Sequence, residues 1–178
     1  MPNKITPKNV FTDEFIVELL YLISRRILAF FVALIIVGFI LFNFAFSVNS
    51  GDSMNPTILD NSIMIVKQDK DLSIGDIVVL HSPENDDLYT KRIIGEPGDT
   101  INLKYGELHV NNVKKNEKYV KGLTFCNSID YAINYKIPND EYYVLGDNRE
   151  DSMDSRVFGS VKKDLIIGKV VYIFPTKK

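Results

Sequence analysis

The sequence predicts a mainly β fold: a partly closed antiparallel sheet behind a single N-terminal transmembrane helix. Three observations lead there. One uncharged apolar run stands near the N-terminus, from Ile27 to Val48. Behind it the periodicity changes from helical to short, β-branched runs. Those runs are separated by turn residues rather than by helical stretches.

The apolar run is ILAFFVALIIVGFILFNFAFSV, with Asn43 and Ser47 as its polar interruptions. About 22 such residues, coiled as a helix, cross a hydrocarbon core about 30 Å thick. The run exceeds the roughly 7–15 apolar residues of a cleaved secretory leader, and no convincing small-x-small pattern follows it, so the sequence predicts a retained anchor. Arg25 and Arg26 abut it, with Lys4 and Lys8 upstream, whereas the next basic residue is Lys67. That asymmetry keeps the N-terminus in the cytoplasm. The predicted layout is a cytoplasmic segment over 1–26, a membrane helix over 27–48 and an extracytoplasmic domain over 49–178. Residues 12–24 (TDEFIVELLYLIS) offer Thr12 as an N-cap, with Asp13 and Glu14 in the first turn. They extend the membrane helix or lie along the inner surface.

Beyond the anchor, SIMIVK, DIVVLH, LYTKRII, DTINLKY, ELHVNN, YYVLG and KVVYIF read as strands. Turn chemistry falls between them at DN (60–61), IGD (74–76), PEND (83–86), EPGD (96–99), YG (105–106) and PNDE (138–141). VKKDLI, over 161–166, is predicted as a short helix. A small sheet of this kind closes partly on itself to limit free edges.

A chain of 178 residues holds one modest domain plus an appendage. Its formal net charge is −2 with both signs interspersed, so it lacks the basic stripe that nucleic-acid backbones require. Cys126 is the only cysteine, which excludes an intramolecular disulfide framework and a zinc cluster of paired cysteines. It reads as a small apolar packing residue.

Residues 50–57, SGDSMNPT, place Ser53 just beyond the anchor. Even a fully extended linker from Val48 keeps it within about 18 Å of the membrane exit. A serine hydroxyl is inert near neutrality unless a base takes its proton. His81 and His109, the only histidines, read as ordinary strand or strand-edge residues, so the base is of another type. In YTKRIIGEPGDT, over 89–100, strand alternation puts Tyr89, Lys91 and Ile93 on one face and Thr90, Arg92 and Ile94 on the other. Desolvation by such apolar neighbours lowers a lysine pKa, and a neutral amine can accept the serine proton. A solvated lysine with a snorkelling stem is the other reading of the same pattern. The third segment, YYVLGDNREDSMDSRVFG (142–159), packs Asp147, Asn148, Arg149, Ser152, Asp154, Ser155 and Arg156 into one loop. By itself it reads as a polar surface turn.

Taken together and in order, GDSMNPT, GDIVVL, YTKRIIGEPGD and GDNREDSMDSRVFG resemble the signature boxes of bacterial type I signal peptidases. Those are membrane-anchored Ser-Lys proteases that remove signal peptides from exported proteins. The resemblance covers the whole layout, and the compact, single-anchor form resembles that of Gram-positive bacteria. It implies Ser53 as nucleophile and Lys91 as general base. It also implies that the Ser152 hydroxyl holds the lysine amine, that Asp154 and Arg156 brace the loop as a charge pair, and that Asp147 and Arg92 support it. Met54 matches a methionine that helps wall off the site, a role compatible with plain core packing.

Gly51 stands where some family members carry a serine that donates to the oxyanion. The hole is then expected to use the Ser53 backbone N–H and a second donor, for which a local amide freed by the glycine is a candidate. The implied substrates are signal peptides with small residues at −1 and −3, bound as an added strand, with the lipid bilayer as the other partner. No metal or cofactor is implied. A family member dedicated to a pilin or other surface protein, and a non-catalytic accessory protein for export or pilus assembly, are the alternatives. The presence of both Ser53 and Lys91 argues against the latter. A self-cleaving regulator fails on the anchor and on the lack of a DNA-binding motif.

Overall fold

The fold comes from a computed structural model that describes residues 13–85, 87–126 and 132–176. It divides into two units, Met1–Phe42 and Asn43–Lys178. In the first, α1 spans Asp13–Asn43. Its segment from Glu14 to Asn43 is long and apolar enough to cross a membrane, and its large side chains are exposed over their whole length. The stretch before Ile27 thus continues the apolar helix in one piece. The proposed cap Thr12, the basic Lys4 and Lys8, and Asp86 of the PEND turn lie outside the described residues.

The helix stops earlier than the apolar run does. Residues Phe44–Val48 form strand β1, which pairs antiparallel with β2 (Ile63–Lys67), so the expectation of helix through Val48 is corrected at its last turn. The FAFSV sequence is aromatic and β-branched, and pairing with β2 supplies hydrogen bonds that a helix end leaves unmade. Hydropathy is the same for helix and strand, and so does not register the change.

The second unit continues with β3 (Ile77–His81), β4 (Leu88–Gly95), β5 (Thr100–Lys104), β6 (Glu107–Val110), β7 (Val113–Lys114), β8 (Tyr135–Lys136) and β9 (Glu141–Leu145). The short helix α2 (Ser155–Phe158), β10 (Val161–Lys162) and β11 (Ile166–Phe174) follow. All seven strands read from the sequence are present. The helix expected over 161–166 is instead two residues of β10 and a single 3-10 turn at Lys163–Leu165, because Val161 pairs with Tyr142 and Ile166 is drawn into β11.

The strands make a seven-stranded sheet, ordered β1-β2-β11-β3-β4-β9-β10, and a four-stranded sheet, ordered β7-β6-β5-β8. Every pairing of named strands is antiparallel. The larger sheet curls, so that β1 at its edge and β4 deep within it line one cleft. The smaller sheet is built on hairpins. Tyr105 and Gly106 join β5 to β6 with φ of 56° and 78°, the left-handed pair that a tight two-residue turn requires.

Three apolar clusters hold these layers. One lies under the small sheet (Ile94, Ile101, Leu108, Tyr143, Leu145), one on the other face of β4 and β9 (Val78, Leu80, Ile93, Val144, Ile166), and one beneath β2 and β3 (Met54, Ile58, Met64, Val66, Val79). Strands β4 and β9 alternate between the first two, so they form a wall buried on both sides. That wall carries Lys91 at one point and leads into the 146–156 loop at another.

Strand β11 lies between β2 and β3 and pairs with both, its register against β3 shifting between Ile166 and Gly168. A methyl group on Gly168 would collide with the Lys67 carbonyl, a backbone atom that cannot swing aside. Gly168→Ala is therefore expected to destabilise the protein by about 1–3 kcal/mol and lower Tm by roughly 4–10 °C in a thermal unfolding scan.

Candidate active site

Ser53 lies in the connection between β1 and β2, and that connection is folded tightly on itself. Asn49 donates through its side chain to the carbonyls of Gly51 (3.1 Å) and Leu59 (3.2 Å), and Asp60 Oδ1 accepts the Gly51 N–H at 2.7 Å. Gly51 has φ of 88°, a conformation that a residue bearing Cβ adopts only under strain. Its own N–H is occupied by Asp60, so a second oxyanion donor, if a local amide, is another one of the turn. Met54, fully buried among Ile58, Met64, Val66 and Val79, anchors the residue next to Ser53 in the core. It does not line the cleft, so core packing is what its environment supports.

Lys91 reaches the same point from the β4 wall, opposite Val78 of β3. It is 3% exposed and donates from Nζ to Ser53 Oγ at 2.8 Å. The Tyr89 ring, on the same face as the alternation predicts, lies 5.2 Å from Nζ. No carboxylate forms an ion pair with Lys91 among the described residues. Burial therefore lowers its pKa to about 8, against the weaker opposing pull of Asp154.

Asp147 and Asp154, the two buried carboxylates beside Lys91, are committed elsewhere, while Asp151 lines the cleft. Asp147, with no exposed surface, accepts from Arg92 Nε at 2.9 Å and Nη2 at 2.6 Å, and from Thr57 Oγ1 at 2.5 Å. Asp154, equally buried, takes Arg156 Nε and Nη2 at 2.8 Å each and the Gly146 N–H at 3.0 Å. It also caps α2 through the Arg156 N–H. The 146–156 loop is consequently buried and cross-linked at both ends, over 146–149 and 154–156, with only Glu150, Asp151 and Met153 exposed at its tip.

Ser152 departs from expectation. Its Oγ is buried but makes no hydrogen bond, so the contact with the Lys91 amine is not formed. Its neighbours Asp151 and Met153 line the cleft, and its own hydroxyl sits over Gly146, where a Cβ would strike both Ser152 Oγ and the Ser53 carbonyl. Gly146 thereby permits the loop to press against the nucleophile turn.

Other functional contacts escaped the sequence. Arg149 is paired in parallel with Glu117 at 2.9 and 2.7 Å, donates from Nε to the Gly146 carbonyl at 3.0 Å, and contacts Thr124 Oγ1. Tyr119 stacks on the Arg92 guanidinium, 4.0 Å from ring centroid to Cζ. Asn148 donates to two carbonyls of the nucleophile turn. Asn148 and Arg149 were visible as members of the loop, but local spacing gives no signal for Glu117, Tyr119 and Thr57.

Ser53, Lys91, Tyr89, Thr90, Leu88, Asp151 and Met153 line a cleft of about 550 Å³ whose other wall is Phe46–Gly51. Neither His81 nor His109 lines it. Among the described residues no group of His, Cys, Asp or Glu is arranged to hold a metal ion. A serine hydroxyl bonded to a desolvated amine is an arrangement able to make an alkoxide-like nucleophile.

The family model described as signal peptidase, peptidase S26, matches residues 23–175. The chain belongs to that family. It is 37% identical over 175 residues to signal peptidase IB of Staphylococcus aureus, covering 88% of this chain and 90% of the relative. Against signal peptidase I P of Bacillus subtilis subsp. natto it is 39% identical over 164 residues, covering 83% and 86%. A solved signal peptidase I from Enterococcus faecalis V583 superposes with a TM-score of 0.48 at 32% identity, over 55% of this chain and 95% of the other. As a type I signal peptidase the chain is a serine endopeptidase that acts on the signal peptides of preproteins.

The lowered Lys91 pKa has a cost to stability. Between about 8 and 10.5 the folded chain binds fewer protons than the unfolded one, so stability rises with pH across that window. Below it the fold carries the full penalty of a buried ammonium, about 3 kcal/mol at ~1.4 kcal/mol per pH unit. Lys91→Met is expected to stabilise the protein by about 1–3 kcal/mol at pH 7, with a gain that shrinks toward pH 10.5, in denaturant titrations at several pH values.

Proposed function

We propose that Ser53 is the nucleophile and Lys91 the general base in the cleavage of signal peptides from exported preproteins. The observation that carries this is the 2.8 Å hydrogen bond between Ser53 Oγ and a Lys91 amine 3% exposed and free of any ion pair among the described residues. Neutral Lys91 takes the hydroxyl proton as Oγ attacks the scissile carbonyl. The resulting ammonium then protonates the leaving amine, and the same amine activates the water that clears the acyl-enzyme.

The substrate binds as an extended strand in the cleft. Two features support this. Strand β1 pairs only with β2, and β9 pairs with β4 only from Arg92 onward, which leaves Leu88–Lys91 with an unpaired edge on that side. Free edges accept a further strand through main-chain hydrogen bonds, with alternate side chains entering pockets. Small residues at −1 and −3 fit this mode. Arg25 and Arg26 against the absence of basic residues from Ile27 to Val66 orient the chain with its N-terminus in the cytoplasm and residues from about 49 onward outside, anchored in the bilayer by α1. Asp147 with Arg92 and Asp154 with Arg156 brace the loop. No observation favours a substrate restricted to pilins or an accessory role without catalysis.

Cleavage of a preprotein by the detergent-solubilised full chain tests this reading. Ser53→Ala and Lys91→Ala are each expected to reduce kcat by at least about 10³-fold, and the double variant to be no worse than either single one. For the wild type, kcat/KM is expected to rise with pH through an apparent pKa of about 8, the value at which Lys91 loses its proton. That limb should survive His81→Gln and His109→Gln. More than a few per cent activity in Lys91→Ala, or a limb near 6.5 lost with a histidine, contradicts the assignment.

A further inference from the structure

The Ser53 amide N–H donates to no protein acceptor among the described residues, whereas the carbonyls of Gly51, Asp52, Ser53 and Met54 in the same turn all accept a hydrogen bond. The peptide unit that contains it is held from the other end. Asn148 Nδ2 donates at 3.1 Å to the Asp52 carbonyl, which also accepts the Asn55 N–H at 3.0 Å within the turn, and the Asn148 backbone N–H donates to the Ser53 carbonyl at 3.0 Å. The Asp52 carbonyl and the Ser53 N–H belong to one planar trans peptide, so they point to opposite sides of the chain. Drawing that carbonyl toward Asn148 aims the N–H away from it. Asn148 is 4% exposed and does not line the cleft, whereas Ser53 does.

We infer that Asn148 is a positioning residue of the oxyanion hole: its side-chain amide, holding the Asp52 carbonyl together with the Asn55 N–H, keeps the Ser53 N–H turned into the cleft to receive the developing oxyanion. This rests on Ser53 being the nucleophile. The residues on either side of Asn148 give it the rigidity the role needs. Asp147 is fixed by Arg92 and Thr57, and Arg149 by Glu117 and the Gly146 carbonyl. Their backbones bracket Lys121 in an isolated parallel bridge, with Lys121 N–H to the Asp147 carbonyl at 2.8 Å and Arg149 N–H to the Lys121 carbonyl at 2.9 Å. The run Asp147-Asn148-Arg149 thus works as two anchors and a finger. A donor so placed strengthens its bond only as negative charge grows on the carbonyl oxygen, so its loss acts on the transition state and not on substrate binding.

The test uses the full chain in detergent, with Asn148→Ala and the nearly isosteric Asn148→Asp, which sets a carboxylate oxygen against the Asp52 carbonyl in place of a donor. Three quantities are measured: kcat and KM for a preprotein, inhibition by a signal-peptide aldehyde, and binding of an uncleavable peptide of the same sequence. Ser53 Oγ adds to the aldehyde carbon as the C=O π bond opens, its proton passes to Lys91, and the former carbonyl oxygen becomes the hemiacetal oxygen at the oxyanion position. Each variant is expected to lose about tenfold or more in kcat and a similar factor in aldehyde affinity. KM and uncleavable-peptide affinity should change less than about threefold, and the alkaline limb should stay where the wild type has it. Activity within about twofold of wild type in Asn148→Asp overturns the inference, as does an equal loss of affinity for the aldehyde and the uncleavable peptide. If the wild type neither cleaves the preprotein nor takes up the aldehyde, the nucleophile assignment itself fails, and the role of Asn148 with it.

Discussion

A lysine amine held out of water without a carboxylate to pair it is the condition on which the rest of this structure depends. An exposed Lys91 would be almost wholly protonated near neutrality and useless as a base. A Lys91 in an ion pair would be held in its charged form even more firmly. The fold removes both possibilities. The β4 wall, buried on both faces, takes the side chain out of solvent, and Asp147 and Asp154, which both act on Lys91 electrostatically, are each neutralised by an arginine of their own. The two ion pairs bordering the site therefore do more than brace a loop: they withhold negative charge from the amine.

The same groups join the site to the rest of the domain. The nucleophile turn is pinned in the β2–β3 core through Met54, to the β9 loop through Thr57 and Asp147, and again through Asn148. Lys91 comes from β4, and the loop that meets it comes from β9, the strand beside β4 in the sheet. Three segments far apart in sequence thus converge because two of them are adjacent strands and the third is clamped onto the end of one. Preorganisation of this sort is what a Ser-Lys pair needs, since neither group acts unless both distance and protonation state are right.

Much of this was legible in the sequence. Seven strands of the two sheets announced themselves by β-branched runs between turn residues, and YG at 105–106 sits where a left-handed pair closes a hairpin. Ser53 and Lys91 were singled out by motif, and alternation along β4 put Tyr89 beside Lys91. What the sequence hid has a common physical cause. The strand identity of Phe44–Val48 depends on pairing with β2, and the short β10 depends on β9. Glu117, Thr57 and Tyr119 matter through partners distant along the chain. Ser152 was expected to hold the lysine amine, but its hydroxyl, packed over Gly146, makes no hydrogen bond among the described residues. Tertiary contacts, not local spacing, decide each of these.

The protonation of Lys91 itself is the most direct measure of the account. With lysine side chains labelled with ¹³C at Cε, and the Lys91 resonance assigned by its absence from Lys91→Met, the chemical shift can be followed in the detergent-solubilised chain from pH 6 to pH 12. The structure predicts a midpoint of about 8 for Lys91, well below the ordinary lysine value of 10.5. A midpoint at or above 10 would mean that burial does not deprotonate the amine, and the proposed base would be lost.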